Sequence, residues 1–307
     1  MQRISVIIPT KDRPGKLEIL LRSIEEAGDN YYELLVVDSS TKESNLNMNY
    51  LNTIKHGGKH IVFNEKGLSK ARNKGIKESK GDILVFSDDD FIVKRGWINN
   101  LIPNFDDPEV FCVTGRMISY RNDETSRLYE RAMSFDRGAK KRIFSEDDLK
   151  IINLFQTITK IGQKRLYEKT PVPWAVGYGF CAFRKQVFWK IGFFDENLGR
   201  GTRNAGGEDI DIFYRILKAG YKIVYEPSAI VFHDHRENLE QIFKDAYQGG
   251  ISIRSFIAKY PKDLYLRFIF LGYVFLTFFS GIKAALESDF MLKRMIKMEL
   301  RGFLTRP

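Results

Sequence analysis

Short apolar runs at 4–8, 33–37, 83–86 and 110–113 alternate with segments of helical spacing at 16–26, 68–78 and 97–102. This is the βαβα pattern of an α/β fold, a mostly parallel sheet flanked by helices. In such sheets the ligand site lies outside the carboxyl ends of the strands, so the polar residues that follow the runs are the first suspects. They are Thr10 and Asp12, Asp38, and Asp88 to Asp90.

The pattern weakens at 121–170, a charged stretch with helical spacing that reads as a helical insertion covering the sheet. Regular structure resumes with a strand-like run at 175–183, a helix at 186–190, a glycine-rich loop at 199–207, a helix at 209–219, and strands at 222–225 and 229–232. A boundary near 236 separates a catalytic domain, 1–236, from a C-terminal helical region, 237–307.

Composition argues for a packed chain over a disordered one. Of 307 residues 43% are hydrophobic, with 24 Phe and 14 Tyr, enough apolar surface to offset the entropy of ordering. A formal charge of +10 admits phosphorylated substrates, nucleic acid or an anionic membrane face. Cys112 and Cys181 each sit in an apolar run, which makes them small buried hydrophobes suited to a reducing compartment. Met1-Gln2-Arg3 leads into the first strand without a long apolar segment, so the expected location is cytoplasmic, at the inner face of the cell membrane.

Asp88-Asp89-Asp90 closes the run at 83–86. Three adjacent carboxylates repel one another unless a cation or donor network compensates. Oxygen ligands suit Mn²⁺ or Mg²⁺, ions that also bridge diphosphate oxygens. Standing alone, the triplet reads more readily as a turn or helix cap.

Its neighbours give it more meaning. Val6-Ile7-Ile8-Pro9-Thr10-Lys11-Asp12-Arg13, Leu35-Val36-Val37-Asp38, the segment from Gly67 to Gly75, Phe86-Ser87-Asp88-Asp89-Asp90, Gly206-Gly207-Glu208-Asp209 and then His233 follow in order. Over about residues 3 to 236 the chain resembles the family 2 glycosyltransferases with a GT-A fold, a Rossmann-like mixed sheet. The resemblance implies a metal-dependent, inverting enzyme that moves a sugar from a UDP- or dTDP-sugar to a hydroxyl of a glycan or lipid-linked acceptor. It assigns Pro9, Thr10, Asp12, Asp38, Arg72, Asp88 and Asp89 to the nucleotide-sugar and Asp90 with His233 to the metal. Asp209 becomes the catalytic base, and Trp174, Gly179, Gly207 and Glu208 face the acceptor or donor sugar.

The residue types suit these roles. Asp38, exposed at a strand end, can accept from a base N–H, or cap a turn. Arg72 can reach a base or diphosphate with its planar fork, while Lys70, Lys74 and Lys77 form a solvated face. Asp209 opens a helix after glycines, where the dipole favours its charge and an inverting transfer needs a base; Glu208 and Asp211 compete for that role. His233 and His235 point to one side of an extended segment; His233 is taken as the ligand and His235 as polar surface. Trp174 can stack on a sugar or belong to the core.

From 268 to 282 every residue is apolar, aromatic or small, short of the roughly 20 that span a bilayer, a length that 264–286 with snorkelling cations could reach. The segment 290–303 is basic and amphipathic, with Met291, Met295 and Met298 among Lys293, Arg294 and Lys297. Residues 264–303 therefore read as a membrane-surface attachment, with a helical hairpin packed on the protein or a dimer interface as the alternative. Two other functions compete with the transferase. A sugar nucleotidyltransferase needs a glycine-rich phosphate loop after the first strand, and Pro9 to Arg13 has no glycine. A non-enzymatic module for anionic lipid or nucleic acid would use the basic charge; nucleic acid is not the expected partner. Nothing in the sequence sets an oligomeric state.

Overall fold

The computed structural model describes residues 2–151, 171–272 and 290–305. Strand β1 (Ile4–Thr10) is buried from Ser5 onward and leads to helix α1 (Pro14–Ala27). Proline fits the first turn of α1, where no partner for its missing N–H is needed. Leu17, Leu20, Leu21 and Ile24 line one face at helical spacing, and Gly28 at φ 65° ends the helix in the left-handed region. Next come β2 (Glu33–Asp38), α2 (Glu43–Lys55), β3 (Lys59–Val62), α3 (Leu68–Glu78), β4 (Ile83–Phe86), β5 (Phe91–Val93) and β6 (Val110–Ser119). They are followed by α4 (Glu124–Met133), β7 (Arg142–Phe144), β8 (Cys181–Arg184), α5 (Val187–Ile191), α6 (Glu208–Lys218) and β9 (Lys222–His233), then α7 (Leu239–Lys259) and α8 (Phe290–Leu304).

The strands form one sheet in the order β3-β2-β1-β4-β8-β6-β9-β5, with β7 also on β9. β1 to β4, β6 and β9 run one way, whereas β5, β7 and β8 run against them. The mostly parallel α/β expectation holds. Alternation along β1 feeds two cores: Ile7 packs with Ala71 and Ile76 of α3, while Val6 and Ile8 pack with Leu17 and Leu20 of α1. Cys112 and Cys181 are unpaired and buried, as expected.

Several boundaries differ from the sequence reading. α2 and β3 were not expected, because the only buried residues of α2 are Asn49 and Thr53 and β3 buries a single side chain, Ile61. Residues 97–101 form turns leading into a 3₁₀ turn at Ile102–Asp106, not a helix. The run at 175–183 is strand only from Cys181, after a 3₁₀ turn at Trp174–Val176. The expected pair of strands at 222–225 and 229–232 is one strand, whose register against β6 shifts between Gly115 and Arg116. The region 121–170 is not wholly helical, since β7 joins the sheet there; residues 152–170 lie outside the described residues.

The C-terminal helices pack on the α/β unit. Phe256 and Ile257 of α7 join Phe213 and Tyr214 of α6 in the larger core. Met295 of α8 packs with Leu128 and Tyr129 of α4 and Ile242 and Phe243 of α7, with Met291 and Met298 against them. The methionine face assigned to a membrane is therefore turned inward, because α4 and α7 offer it an apolar partner. Among the described residues no helix is long and apolar enough to cross a membrane, and the run at 268–282 lies outside the described residues from 273 on.

Candidate active site

The codirectional strands bring their carboxyl ends to one edge of the sheet. Pairing of β1 with β4 sets Ile7 opposite Phe86, which carries Thr10 to the acidic triplet. Thr10 Oγ1 donates to Asp89 Oδ2 at 2.7 Å. Arg13, just beyond β1, donates to Asp90 Oδ2 at 3.0 Å and pairs with Asp89 as well. Sequence reasoning overlooked Arg13, although it stands inside the quoted opening motif; only the β1–β4 pairing reveals its partners. Burial pushes the Asp89 carboxyl up to about 7 against the pull of Arg13. Burial also opposes ionisation of Asp90, but His233, Arg13 and Arg236 outweigh it and hold that carboxyl below the usual range.

Antiparallel β5 places Phe91 opposite His233, so His233 lands beside Asp90, with Nε2 3.7 Å from Oδ1. Burial lowers the His233 pKa and favours a neutral ring. His235, expected at the surface, is buried under α4, with Nδ1 2.6 Å from His233 Nδ1.

Arg72, expected to reach a base or diphosphate, is 2% exposed and turned to two acids. It donates to Asp88 Oδ1 at 3.1 Å and to Glu208 Oε1 at 2.9 Å, so it joins the triplet to the start of α6. Gly179, at φ 51°, allows Asp88 to come close, for a Cβ there would lie 2.8 Å from Asp88 Oδ2. Gly207, at φ 87°, turns the chain into α6 against Ser252.

Of the three carboxylates in the first turn of α6, Asp209 is the one left available. Glu208 is paired with Arg72, and Asp211 is fully buried between Arg215 Nε at 2.9 Å, Tyr260 OH at 2.7 Å and Lys259 Nζ at 2.8 Å. Asp209 is half-buried and, among the described residues, accepts only from its neighbour Ile210 N, at 2.8 Å. Burial, reinforced by the charge of Glu208, raises its pKa to about 7. A carboxylate so tuned can take a proton near neutral pH.

Two cavities meet here. One of about 300 Å³ is lined by Pro9, Thr10, Ser39, Lys66 and the triplet. The other, about 250 Å³, holds Arg72, Trp174, Gly179, Gly207, Glu208 and Asp209, together with Gln248, Ser252 and Glu299 from α7 and α8. Asp88 and His233 border both. Trp174 stands edge-on to Phe256 while bordering the second cavity, so both readings of it hold in part.

Two assigned residues lie elsewhere. Asp12 points into the turn before α2, where its carboxylate accepts from Thr41 N at 3.1 Å, Thr41 Oγ1 at 3.0 Å and Asn45 Nδ2 at 3.1 Å. Asp38 is not exposed but fully buried, accepting from Ser40 N at 2.8 Å and Asn49 Nδ2 at 2.9 Å, with His60 Nε2 3.0 Å away. The unexpected α2 supplies Asn49 and covers it. Neither acid lines the first cavity, although their neighbours Lys11 and Ser39 do.

Among the described residues no group of three or more His, Cys, Asp or Glu side chains is arranged to hold a metal. Asp90 and His233 nevertheless bring one oxygen and one nitrogen donor to the first cavity. That set fits a divalent cation that takes its remaining ligands from a bound diphosphate and water.

A family model described as glycosyl transferase family 2 matches residues 5–192, more than half of the chain. The pre-mycofactocin glycosyltransferase of Mycobacterium tuberculosis is 29% identical over 60% of this chain, and the chain spans about a third of that relative's length, 34%. The O-antigen chain rhamnosyltransferase RfbN of Salmonella typhimurium is 24% identical over 81% of this chain and 72% of its own. The mannosyltransferase PcManGT of Pyrobaculum calidifontis, solved with GDP-Man and Mn²⁺, shares the fold. Its TM-score is 0.63 at 16% identity, over 98% of this chain and 86% of its own.

Proposed function

We propose, since the chain belongs to glycosyl transferase family 2, that it transfers a sugar from a nucleotide diphosphate donor to an acceptor hydroxyl with inversion. The meeting of the two cavities at Asp88 and His233 carries this reading. The first cavity has the polar backbone and the cationic Lys66 and Arg13 suited to a nucleotide diphosphate. The second presents Asp209 across from it, where an acceptor hydroxyl can lose its proton.

Asp90 and His233 hold Mn²⁺ or Mg²⁺ in this reading, which supplies positive charge to the departing diphosphate. The Mn²⁺ complex of the Pyrobaculum enzyme supports that choice. Arg72 keeps Glu208 and Asp88 fixed, so that Asp209 alone of its neighbours remains able to move a proton. Trp174 offers a flat apolar face to a sugar ring.

A thermal-shift screen of nucleoside diphosphates with and without Mn²⁺ tests the donor half. Stabilisation by one base in a Mn²⁺-dependent manner is expected. No shift with any of them contradicts the reading.

The acceptor proposed is a glycan or lipid-linked glycan at the inner face of the cell membrane. Leu264 and Leu271, 59% and 62% exposed, and Phe290, 70% exposed, support contact with a membrane surface. Flotation with anionic liposomes should carry the full chain upward and leave a chain truncated after 260 behind; equal flotation of the two contradicts it.

A further inference from the structure

We infer that Glu130 and His235 are positioning residues that fix the tautomer of His233, so that His233 offers the lone pair of Nε2 to a divalent cation. The inference rests on the reading of His233 as a metal ligand. Three contacts in series carry it. Glu130 Oε2 lies 3.2 Å from His235 Nε2, His235 Nδ1 lies 2.6 Å from His233 Nδ1, and His233 Nε2 faces Asp90 Oδ1 at 3.7 Å.

The proton positions follow from the partners. A carboxylate only accepts, so a His235 ring with a single N–H carries it on Nε2, toward Glu130. Its Nδ1 is then an acceptor. The short Nδ1 to Nδ1 contact needs one donor, and His233 must provide it. His233 thus carries its hydrogen on Nδ1, and Nε2 keeps its lone pair. The 3.7 Å to Asp90 is too long for a hydrogen bond, so no proton is required there.

The surroundings hold this arrangement. Glu130 sits on α4, whose first turn is capped by Asp123 accepting from Ser126 N at 2.8 Å. Its other oxygen accepts from Asp136 N at 2.9 Å, which anchors the carboxylate with Oε2 toward His235. Phe135 lies 5.1 Å from the His233 ring and 5.2 Å from the His235 ring, and Tyr129 stands edge-on to His235. Aromatic walls of this kind keep water from the Nδ1 pair. A ligating histidine whose other nitrogen is held by a relay ending in a carboxylate is a recurring way to orient the ring and raise its basicity. Here the relay passes through a second imidazole, and its carboxylate belongs to the segment between β6 and β8.

The test is a long-range ¹⁵N–¹H correlation spectrum of the full chain labelled at histidine, metal-free and at mildly alkaline pH. The chain has four histidines, His56, His60, His233 and His235, and single replacements assign them. The expected spectrum shows His233 as the Nδ1–H tautomer and His235 as the Nε2–H tautomer. An Nε2–H tautomer for His233 overturns the inference. His235→Phe, which keeps the ring among its aromatic neighbours, should abolish the Nδ1–H preference of His233 and weaken Mn²⁺ binding about 10-fold or more. An unchanged tautomer in that variant also overturns it. Adding Mn²⁺ to the wild-type protein should broaden the His233 signals first. The expected tautomers without such broadening would leave the relay standing and remove the metal reading beneath it.

Discussion

Arg72 Nη1 donates to Glu208 Oε1 across 2.9 Å, and the same guanidinium reaches Asp88 Oδ1 at 3.1 Å, so one buried cation ties α3 to the first turn of α6 and to the acidic triplet. The planar fork sets the spacing between the triplet and the start of α6, where Asp209 stands.

Replacing Arg72 leaves two carboxylates without a partner. Arg72→Met should lower stability by about 3–5 kcal/mol, the cost of stranding buried charge. Arg72→Lys should recover only part of it, since a single ammonium cannot fill both positions of the fork. Urea unfolding of both variants measures this, and a wild-type midpoint for Arg72→Met would refute the buried bridge.

Gly179→Ala puts a methyl group 2.8 Å from Asp88 Oδ2 at a backbone φ of 51°. The left-handed conformation alone costs about 1–2 kcal/mol, and Asp88 must also move. A raised donor KM and a lowered melting temperature are expected together, from steady-state kinetics and calorimetry. An unaltered donor KM would separate Asp88 from donor binding.

The docking of α8 on α7 depends on two glycines. A Cβ on Gly302 falls on the Tyr247 carbonyl, and one on Gly250 falls on the Glu299 carbonyl. Gly302→Val should loosen α8, so that limited trypsin digestion releases the C-terminal segment faster than from the parent. Transfer should fall too, because Glu299 borders the cavity that holds Asp209. Equal protease resistance would contradict this packing.

The raised carboxyl of Asp209, at about 7, fixes a pH signature. Its unfolded value is near 4, so between about pH 4 and 7 the folded protein holds a proton the unfolded chain has lost. That group's contribution to stability is therefore largest below pH 4 and declines as pH rises to 7. Activity runs the opposite way: kcat/KM should climb about tenfold per pH unit up to about 7 and then level off. Asp209→Asn should remove this part of the stability slope. A kcat/KM profile flat from pH 5 to 8 (about two units below and one above the raised value) would contradict the assignment.

The parallel half of the sheet was legible because β1, β2 and β4 are near-continuous apolar runs. α2 was not, since the two residues it buries are polar, Asn49 donating to Asp38 and Thr53 to the Asn49 carbonyl, and no apolar stripe marks it. β3, β5 and β7 are too short, at three or four residues, to show a period. In the site, the triplet, Arg72, Asp209 and His233 stood out through their order along the chain. Arg13 and His235 did not, because their partners Asp90 and Glu130 lie 77 and 105 residues away and are brought near only by strand pairing and by α4. Asp12 and Asp38 stood out as well, but their partners are groups of α2 and its preceding turn and, for Asp38, His60 of β3.

The most direct test is Asp209→Asn, assayed for sugar transfer and, in the same preparation, for Mn²⁺-dependent binding of the donor nucleotide. The amide keeps the size of the side chain and removes its ability to take a proton. Turnover should fall by at least about 100-fold, the usual weight of a general base, while nucleotide affinity stays at the wild-type value. Near-native turnover with normal nucleotide binding would contradict the account.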